Sequence, residues 1–441
     1  MSQTVTQTGI FHRSLNKNYG LASGGDGVYL LHPDGSRTLD GSSGAAVSCL
    51  RHGHRAVIDA IVQQAQSMAF AHTSFFSSDP AEKLASFLIK QSDNAFTKVM
   101  FLSSGSEAVE SAIKLARQFF VAKGEPQRVN FLCRKYGYHG NTLGALSAGW
   151  NPQRRQTFEP LLSPAFHHVS PCFYSRDGGA GEPEEQYMSR LIEEYEELFQ
   201  TLGTSSVAAI LIETVGGATL GAVPPAKGYL QRLRSLCDKY GALLILDEVM
   251  CGMGRMGTVH AWQSYGNTIP DLQTIGKGLG AGYQPISAIL VGAKVHKTLQ
   301  ASEPGLPFVS GHTYQGHSIG CAAALATQQT IMKDNLLANV MAMGDLLSAE
   351  LRKQVPLLKE VRGRGLFQAV EFATLPHIKS LAGDVSRTSL ANGLAIYLCS
   401  SAVDCVLFAP PFTIREREVY EMVDIFVRST KQVIEQRGLK I

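Results

Sequence analysis

The chain has 441 residues, 44% of them hydrophobic and 17% charged, with a formal net charge of +3. This predicts an ordinary soluble enzyme with room for one large domain and one smaller one. A charge this small, without a dense Lys/Arg run, argues against nucleic acid, and no apolar run approaches membrane-spanning length. Cys49, Cys133, Cys172, Cys237, Cys251, Cys321, Cys399 and Cys405 lack C-x-x-C spacing and read as reduced thiols of a cytoplasmic protein. The polar Met1-Ser-Gln-Thr-Val-Thr-Gln7 lacks the charged-then-apolar plan of a signal peptide.

In chain order, Gly27-Val-Tyr-Leu-Leu31 and Ser36-Arg-Thr-Leu-Asp40 flank the turn signal Pro33-Asp34-Gly35 and predict a β-hairpin. Helical patterns follow at Ala56–Gln66 and Ala81–Lys90. From about Lys98 to Gly292 strands and helices alternate. Apolar runs at Val99–Leu102, Val129–Cys133, Ala208–Ile212, Ala242–Leu246 and Ile286–Val291 read as buried strands, with helical patterns at Glu107–Phe120 and Tyr229–Tyr240 between them. That alternation predicts an α/β fold around a mostly parallel sheet. The acidic stretch Asp177–Glu197 reads as a surface loop passing into a solvated helix without chemistry. Beyond Asn335 long helical patterns return, with strand-like pieces at Leu366–Phe372 and Val406–Ala409. They predict a smaller α+β domain packed with the N-terminal hairpin.

The strongest chemical signal is Ile275-Gly-Lys-Gly-Leu-Gly-Ala-Gly282, which holds Lys277 in a glycine-rich turn. Upstream, Gly241-Ala-Leu-Leu-Ile-Leu-Asp-Glu-Val249 reads as a buried strand ending in two carboxylates. A lysine in such a turn, paired with Asp247 at a strand end, suits pyridoxal phosphate: the amine forms a Schiff base and the aspartate keeps the pyridinium protonated. Leu102-Ser-Ser-Gly-Ser-Glu-Ala108 follows a strand and opens a helix, so Gly105 and Ser106 can face a phosphate at the positive helix end. The same residues also fit a serine N-cap with a glutamate partner. Tyr136-Gly-Tyr-His-Gly140 offers an aromatic to stack on a ring, or simply two loop aromatics. Asp247 has no His or Cys at ligand spacing, which argues against a metal. In Gly311-His-Thr-Tyr-Gln-Gly-His-Ser318 two histidines lack an evident third ligand, and the Thr313 hydroxyl could instead meet a phosphate. Gly252-Met-Gly-Arg-Met-Gly257 fits the dinucleotide fingerprint. Against it stand the charges of Asp247 and Glu248 and the lack of a clear helix opening after Gly257.

Taken together, the motifs resemble the class III, or ω-amino-acid, aminotransferases of the fold-type I pyridoxal phosphate enzymes. The resemblance covers nearly the whole chain. It runs through Gly27-Val-Tyr-Leu, Leu39-Asp40, Ser104-Gly-Ser-Glu-Ala-Val-Glu110, Tyr138-His-Gly140, Leu246-Asp-Glu-Val249 and Gly252-x-Gly-Arg255. It continues with Gly276-Lys-Gly278, His312-Thr-Tyr314, Val361-Arg-Gly-x-Gly-Leu366 and Pro410-Pro411. It implies residues 71–325 as a large cofactor-binding domain, 1–70 as a segment joining the small domain, and 326–441 as the C-terminal small domain. It implies that Lys277 forms the Schiff base and moves the proton, and that Asp247 pairs with the pyridine nitrogen. Val249 and Tyr138 would cover the two ring faces, and Gly105 and Ser106 would bind phosphate. Glu213, in Ile212-Glu-Thr-Val-Gly216, would lie near the cofactor oxygen and the substrate entrance. Thr313 would reach the phosphate of a neighbouring subunit, making the active unit a homodimer.

The implied activity is transfer of an amino group from an amine or amino acid to a 2-oxo acid or ketone, through pyridoxamine phosphate. Racemases or epimerases, decarboxylating enzymes and phospho-lyases keep the same cofactor residues and remain alternatives; a nicotinamide-dependent oxidoreductase built on Gly252–Gly257 is a remote one. Two departures stand out. Met256 replaces the usual threonine of Gly-Arg-Thr-Gly and reads as structural. Many relatives carry an arginine for a substrate carboxylate shortly before Pro-Pro, whereas Ser400-Ser-Ala-Val-Asp-Cys-Val-Leu-Phe-Ala-Pro410 has none and contains Asp404. Arg364 is a candidate substitute, with a structural ion pair as its competing role.

Overall fold

The computed structural model describes residues 8–302, 307–374 and 380–439. Its central sheet has seven strands: β1 (Phe96–Leu102), β2 (Asn130–Arg134), β3 (Phe166–Val169), β4 (Val207–Glu213), β5 (Leu243–Asp247), β6 (Leu272–Ile275) and β7 (Ser287–Gly292). Their order is β1-β7-β6-β5-β4-β2-β3. All neighbours are parallel except β7, which runs antiparallel to both β1 and β6. The carboxyl ends of six strands therefore share one edge.

The sequence of β4 and β5 explains their central place. Alternate side chains of a strand point to opposite faces. Ile210, Ile212, Leu244 and Leu246 join one core, and Ala209, Leu211, Leu243 and Ile245 join another. Both faces are covered, so these strands read as unbroken apolar runs. Helix α1 (Gly105–Ala122) packs Ala108, Ala112, Leu115 and Phe119 on one face. Helices α2 (Glu184–Leu202) and α3 (Tyr229–Tyr240) pack on the other.

Two expectations need correction. The acidic segment does form a helix, α2, but it is not simply solvated. Tyr187, Met188, Leu191, Tyr195 and Phe199 form a buried stripe at helical spacing, and Tyr195 meets the Tyr229 hydroxyl at 3.1 Å. Strands β3 and β6 escaped the apolar-run criterion because each has four residues, half of them polar. In β6 the buried Gln273 bonds Trp262 and Glu248, so its polarity is satisfied inside the core.

The expected hairpin forms between Tyr29–Leu31 and Arg37–Asp40, with Tyr29 opposite Leu39. Leu394–Ala395 pairs in parallel with Leu39 and Asp40, joining the two ends of the chain. A second four-stranded sheet is built from Leu358–Arg364, Phe367–Phe372, Cys405–Phe408 and Tyr397–Leu398. Val28, Leu39, Val370, Phe408 and Phe426 share its core. All eight cysteines are buried and unpaired. Among the described residues no helix is long and apolar enough to cross a membrane.

Candidate active site

Parallel strands that end together leave a crevice beyond their carboxyl ends. Glu213 is the last residue of β4 and stands in register with Asp247, the last of β5. Asp247 in turn pairs with Thr274 of β6, and Lys277 lies two residues beyond that strand. From β1 the chain turns at Ser103 and Ser104 into α1. The crevice is lined by Gly105, Ser106, Tyr138, His139, Gly140, Glu213, Val215, Asp247, Val249, Met250, Cys251 and Lys277.

At the α1 end, the capping reading holds at Ser104, and the anion-binding reading concerns different residues. Ser104 accepts from the Glu107 amide at 3.2 Å, while the Glu107 carboxylate accepts from the Ser103 and Ser104 amides at 2.8 and 3.2 Å. Gly105 and Ser106 are left lining the cavity. A Cβ on Gly105 would stand 2.7 Å from Val249 Cγ1, so only glycine permits this approach. Gly140, at φ +129°, would place a Cβ 2.6 Å from Ser106 Oγ. The helix N-terminus adds a positive dipole end to this tight cradle, which suits a phosphate.

Asp247 is buried and fixed on several sides. One oxygen lies 2.8 Å from His139 Nδ1; the other accepts from the Val249 amide at 3.0 Å and Thr274 Oγ1 at 3.1 Å. Glu248, the next residue, points the other way and takes no part in the cavity. It accepts from Thr214, Gln273 and the Ala261 and Trp262 amides, all within 2.8 Å. The strand thus divides its two carboxylates between site and core.

Lys277 adopts φ +44°, a left-handed conformation that a lysine rarely takes. Burial pushes its amine down to about 8, against the opposing charges of Asp247 and Glu213. No acid lies within ion-pair distance of it among the described residues. An amine near 8 is partly unprotonated at neutral pH and so available as a nucleophile. Burial raises the Glu213 carboxyl. Its oxygens accept from the Gly217 amide at 2.9 Å and the Tyr138 amide at 3.3 Å. A phosphate cradle, a fixed carboxylate, a depressed amine, and Tyr138 and Val249 on the walls form a donor set that fits pyridoxal phosphate.

The family model for class-III aminotransferases matches residues 13–429. This chain belongs to the class III aminotransferases. The aminotransferase is 38% identical to an aminotransferase of Schizosaccharomyces pombe, over 98% of this chain and 99% of the relative. It is 32% identical to a diaminobutyrate–2-oxoglutarate transaminase of Halomonas elongata, over 93% and 90%. It superposes on the ω-transaminase of Pseudomonas jessenii in complex with PMP with a TM-score of 0.91 and 31% identity, covering 96% of this chain and 94% of that one. The fold is thus that of the fold-type I transaminases, the activity is aminotransfer, and pyridoxal phosphate is the cofactor.

Seven of the eight residues singled out in the sequence of this aminotransferase meet in the cavity. Thr313 does not; it is exposed in a turn beside the start of α1, where its neighbour His312 lies 3.4 Å from Ser111. No cluster of three or more His, Cys, Asp or Glu able to hold a metal occurs among the described residues. Arg364 is exposed, donates to the Met256 carbonyl at 3.1 Å, makes no ion pair among the described residues and lines no wall of the Lys277 cavity. Asp404 accepts from the Leu381 and Ala382 amides and from Ser380. The Gly252–Gly257 loop packs on the C-terminal part of the chain: Arg255 donates to the Leu366 and Pro410 carbonyls, and Met256 is fully buried. His139 and Thr274 had no role assigned from sequence. His139 lies inside the Tyr-His-Gly motif, so its position was visible, whereas its contact with Asp247 is a product of the fold.

Proposed function

We propose that Lys277 carries the cofactor and performs the proton transfers of a complete transamination, from an amine or amino acid donor to a 2-oxo acid or ketone acceptor. Bound pyridoxal phosphate supplies the electron sink and carries the nitrogen between the two. The free Lys277 amine removes the proton from the donor carbon that bears nitrogen. In the second half-reaction it delivers a proton to the former carbonyl carbon of the acceptor. An amine with a pKa near 8 suits both directions. Asp247, braced by His139 and Thr274, holds a negative charge against the pyridine nitrogen. Tyr138 and Val249 confine the ring, Gly105 and Ser106 hold the phosphate, and buried Glu213 guards the cofactor oxygen and the entrance.

The acceptor named for the Halomonas relative is a 2-oxo acid, which supports the same acceptor class here. The reading also includes a cytoplasmic homodimer, with Thr313 reaching the phosphate of the neighbouring subunit, and the domain limits 1–70, 71–325 and 326–441. Exposed Phe75, Phe76 and Tyr314 beside Thr313 support the dimer.

The placement of the buried Lys277 amine in the wall of the Asp247 cavity carries the proposal. In the wild-type protein, the visible absorbance of bound cofactor should disappear with a competent donor and return with pyruvate or 2-oxoglutarate. Lys277→Ala should fold, hold the cofactor noncovalently and lose multiple turnover. Near-normal turnover in that variant would sink the assignment. A band that persists while the donor racemises would assign the protein to the racemase reading instead.

A further inference from the structure

A second chamber adjoins the cofactor cavity, and the two share Tyr138 and Lys277. The chamber offers space for the remaining atoms of a compound that reacts beside Lys277. Arg154 lies on its wall, half-buried, with its guanidinium 5.0 Å from the centre of the Tyr138 ring. Arg13 also reaches the chamber, and no Asp or Glu lines it. Among the described residues, the Arg154 side chain makes no ion pair and no hydrogen bond.

The adjacent Arg155 shows the contrast. It is buried, donates to the Leu146, Ser147 and Gly149 carbonyls, and meets Glu159. Its role is to hold the loop. The same short turn therefore presents one arginine that is fully engaged and one whose donors are unused and face the reaction chamber. A guanidinium offers a planar fork that matches a carboxylate. Asn151, Thr219 and Ser400 line the same space and can hydrogen-bond a polar substrate body.

We propose that Arg154 is the anchor for the substrate carboxylate, which makes amino acids and 2-oxo acids, rather than uncharged amines, the preferred substrates. The proposal rests on the aminotransferase reading of the Lys277 cavity. It answers the missing arginine before Pro410-Pro411: the charge enters from the loop that follows Tyr138 instead of from the C-terminal sheet.

The test compares wild-type holoenzyme with Arg154→Met, which removes the charge but keeps a long unbranched side chain, and with Arg154→Lys. Donors are alanine and 4-aminobutanoate, each against its alcohol, alaninol and 4-aminobutan-1-ol. Loss of a charge-assisted bond predicts that the acid-to-alcohol ratio of kcat/KM falls about 10- to 100-fold in Arg154→Met and recovers in part in Arg154→Lys. Calorimetric binding of pyruvate to the holoenzyme should weaken by a similar factor, with pyridoxal phosphate affinity equal in both proteins. An unchanged ratio, or a loss explained by weaker cofactor binding, overturns the role of Arg154. A wild-type band that no donor discharges overturns the aminotransferase reading itself, so the two failures are distinguishable.

Discussion

At the residue scale, the site is built from groups that cost stability. Lys277 combines a left-handed backbone with a buried amine, and positions of this kind persist only where the surroundings hold them. The sign of the electrostatic cost is definite. The amine titrates near 8 in the folded cofactor-free protein and near 10.5 in an unfolded chain. Between those values the unfolded chain holds more protons, so stability rises with pH; below 8 the cost is present in full. The interval corresponds to about 3 kcal/mol. Cofactor-free Lys277→Met should therefore be more stable than wild type at pH 7 by up to that amount, with the gap closing above pH 10.5. Urea unfolding at both pH values checks it, and equal midpoints at pH 7 would refute it. Lys277, Asp247 and Gly105 were legible because each sits in a local pattern that its chemistry requires. Arg154 was not, because its difference from Arg155 lies in which partners the fold supplies, and two adjacent arginines look alike in a sequence.

At the element scale, the same division recurs. The strands β4 and β5 could be read because both of their faces are covered, whereas β3 and β6 are short and half polar, with the polar residues of β6 paired inside the core. Asp404 shows how a residue can mislead when its element is unknown. In sequence it stands where a carboxylate-binding arginine was expected. In the fold it caps the helix Ala382–Ala391, accepting from the Ala382 amide at 2.7 Å and the Leu381 amide at 2.8 Å. A carboxylate at a helix N-terminus satisfies orphan amides and favours the dipole. Asp404→Ala should cost about 1–2 kcal/mol of stability, and Asp404→Asn less. Denaturant unfolding of both variants would show it. An alanine variant as stable as wild type would mean that water replaces the cap without loss.

At the scale of the whole molecule, the described surface beside the site exposes an apolar cluster. Phe75 is 77% and Tyr314 61% exposed, and Tyr314 packs on Phe70 with ring centres 5.8 Å apart. Such apolar clusters mark interfaces, and this one adjoins Thr313, the predicted phosphate ligand outside its own cavity. The proposed homodimer explains both facts at once: the aromatics are covered, and Thr313 completes the opposite site. A symmetric dimer makes each site depend on two chains, which subunit mixing can test. Lys277→Ala destroys the site of its own chain. Thr313→Trp, too bulky for a phosphate cradle, would destroy the site of the other chain. Neither homodimer should turn over. Equal mixing, with exchange, places half of the dimers in the hybrid form, each with one intact site, so activity should return to about a quarter of wild type. If Thr313 served its own chain, each hybrid would hold one site without its lysine and one with its own phosphate cradle blocked, and no intact site. The mixture would then stay inactive, and the shared-site arrangement would be wrong.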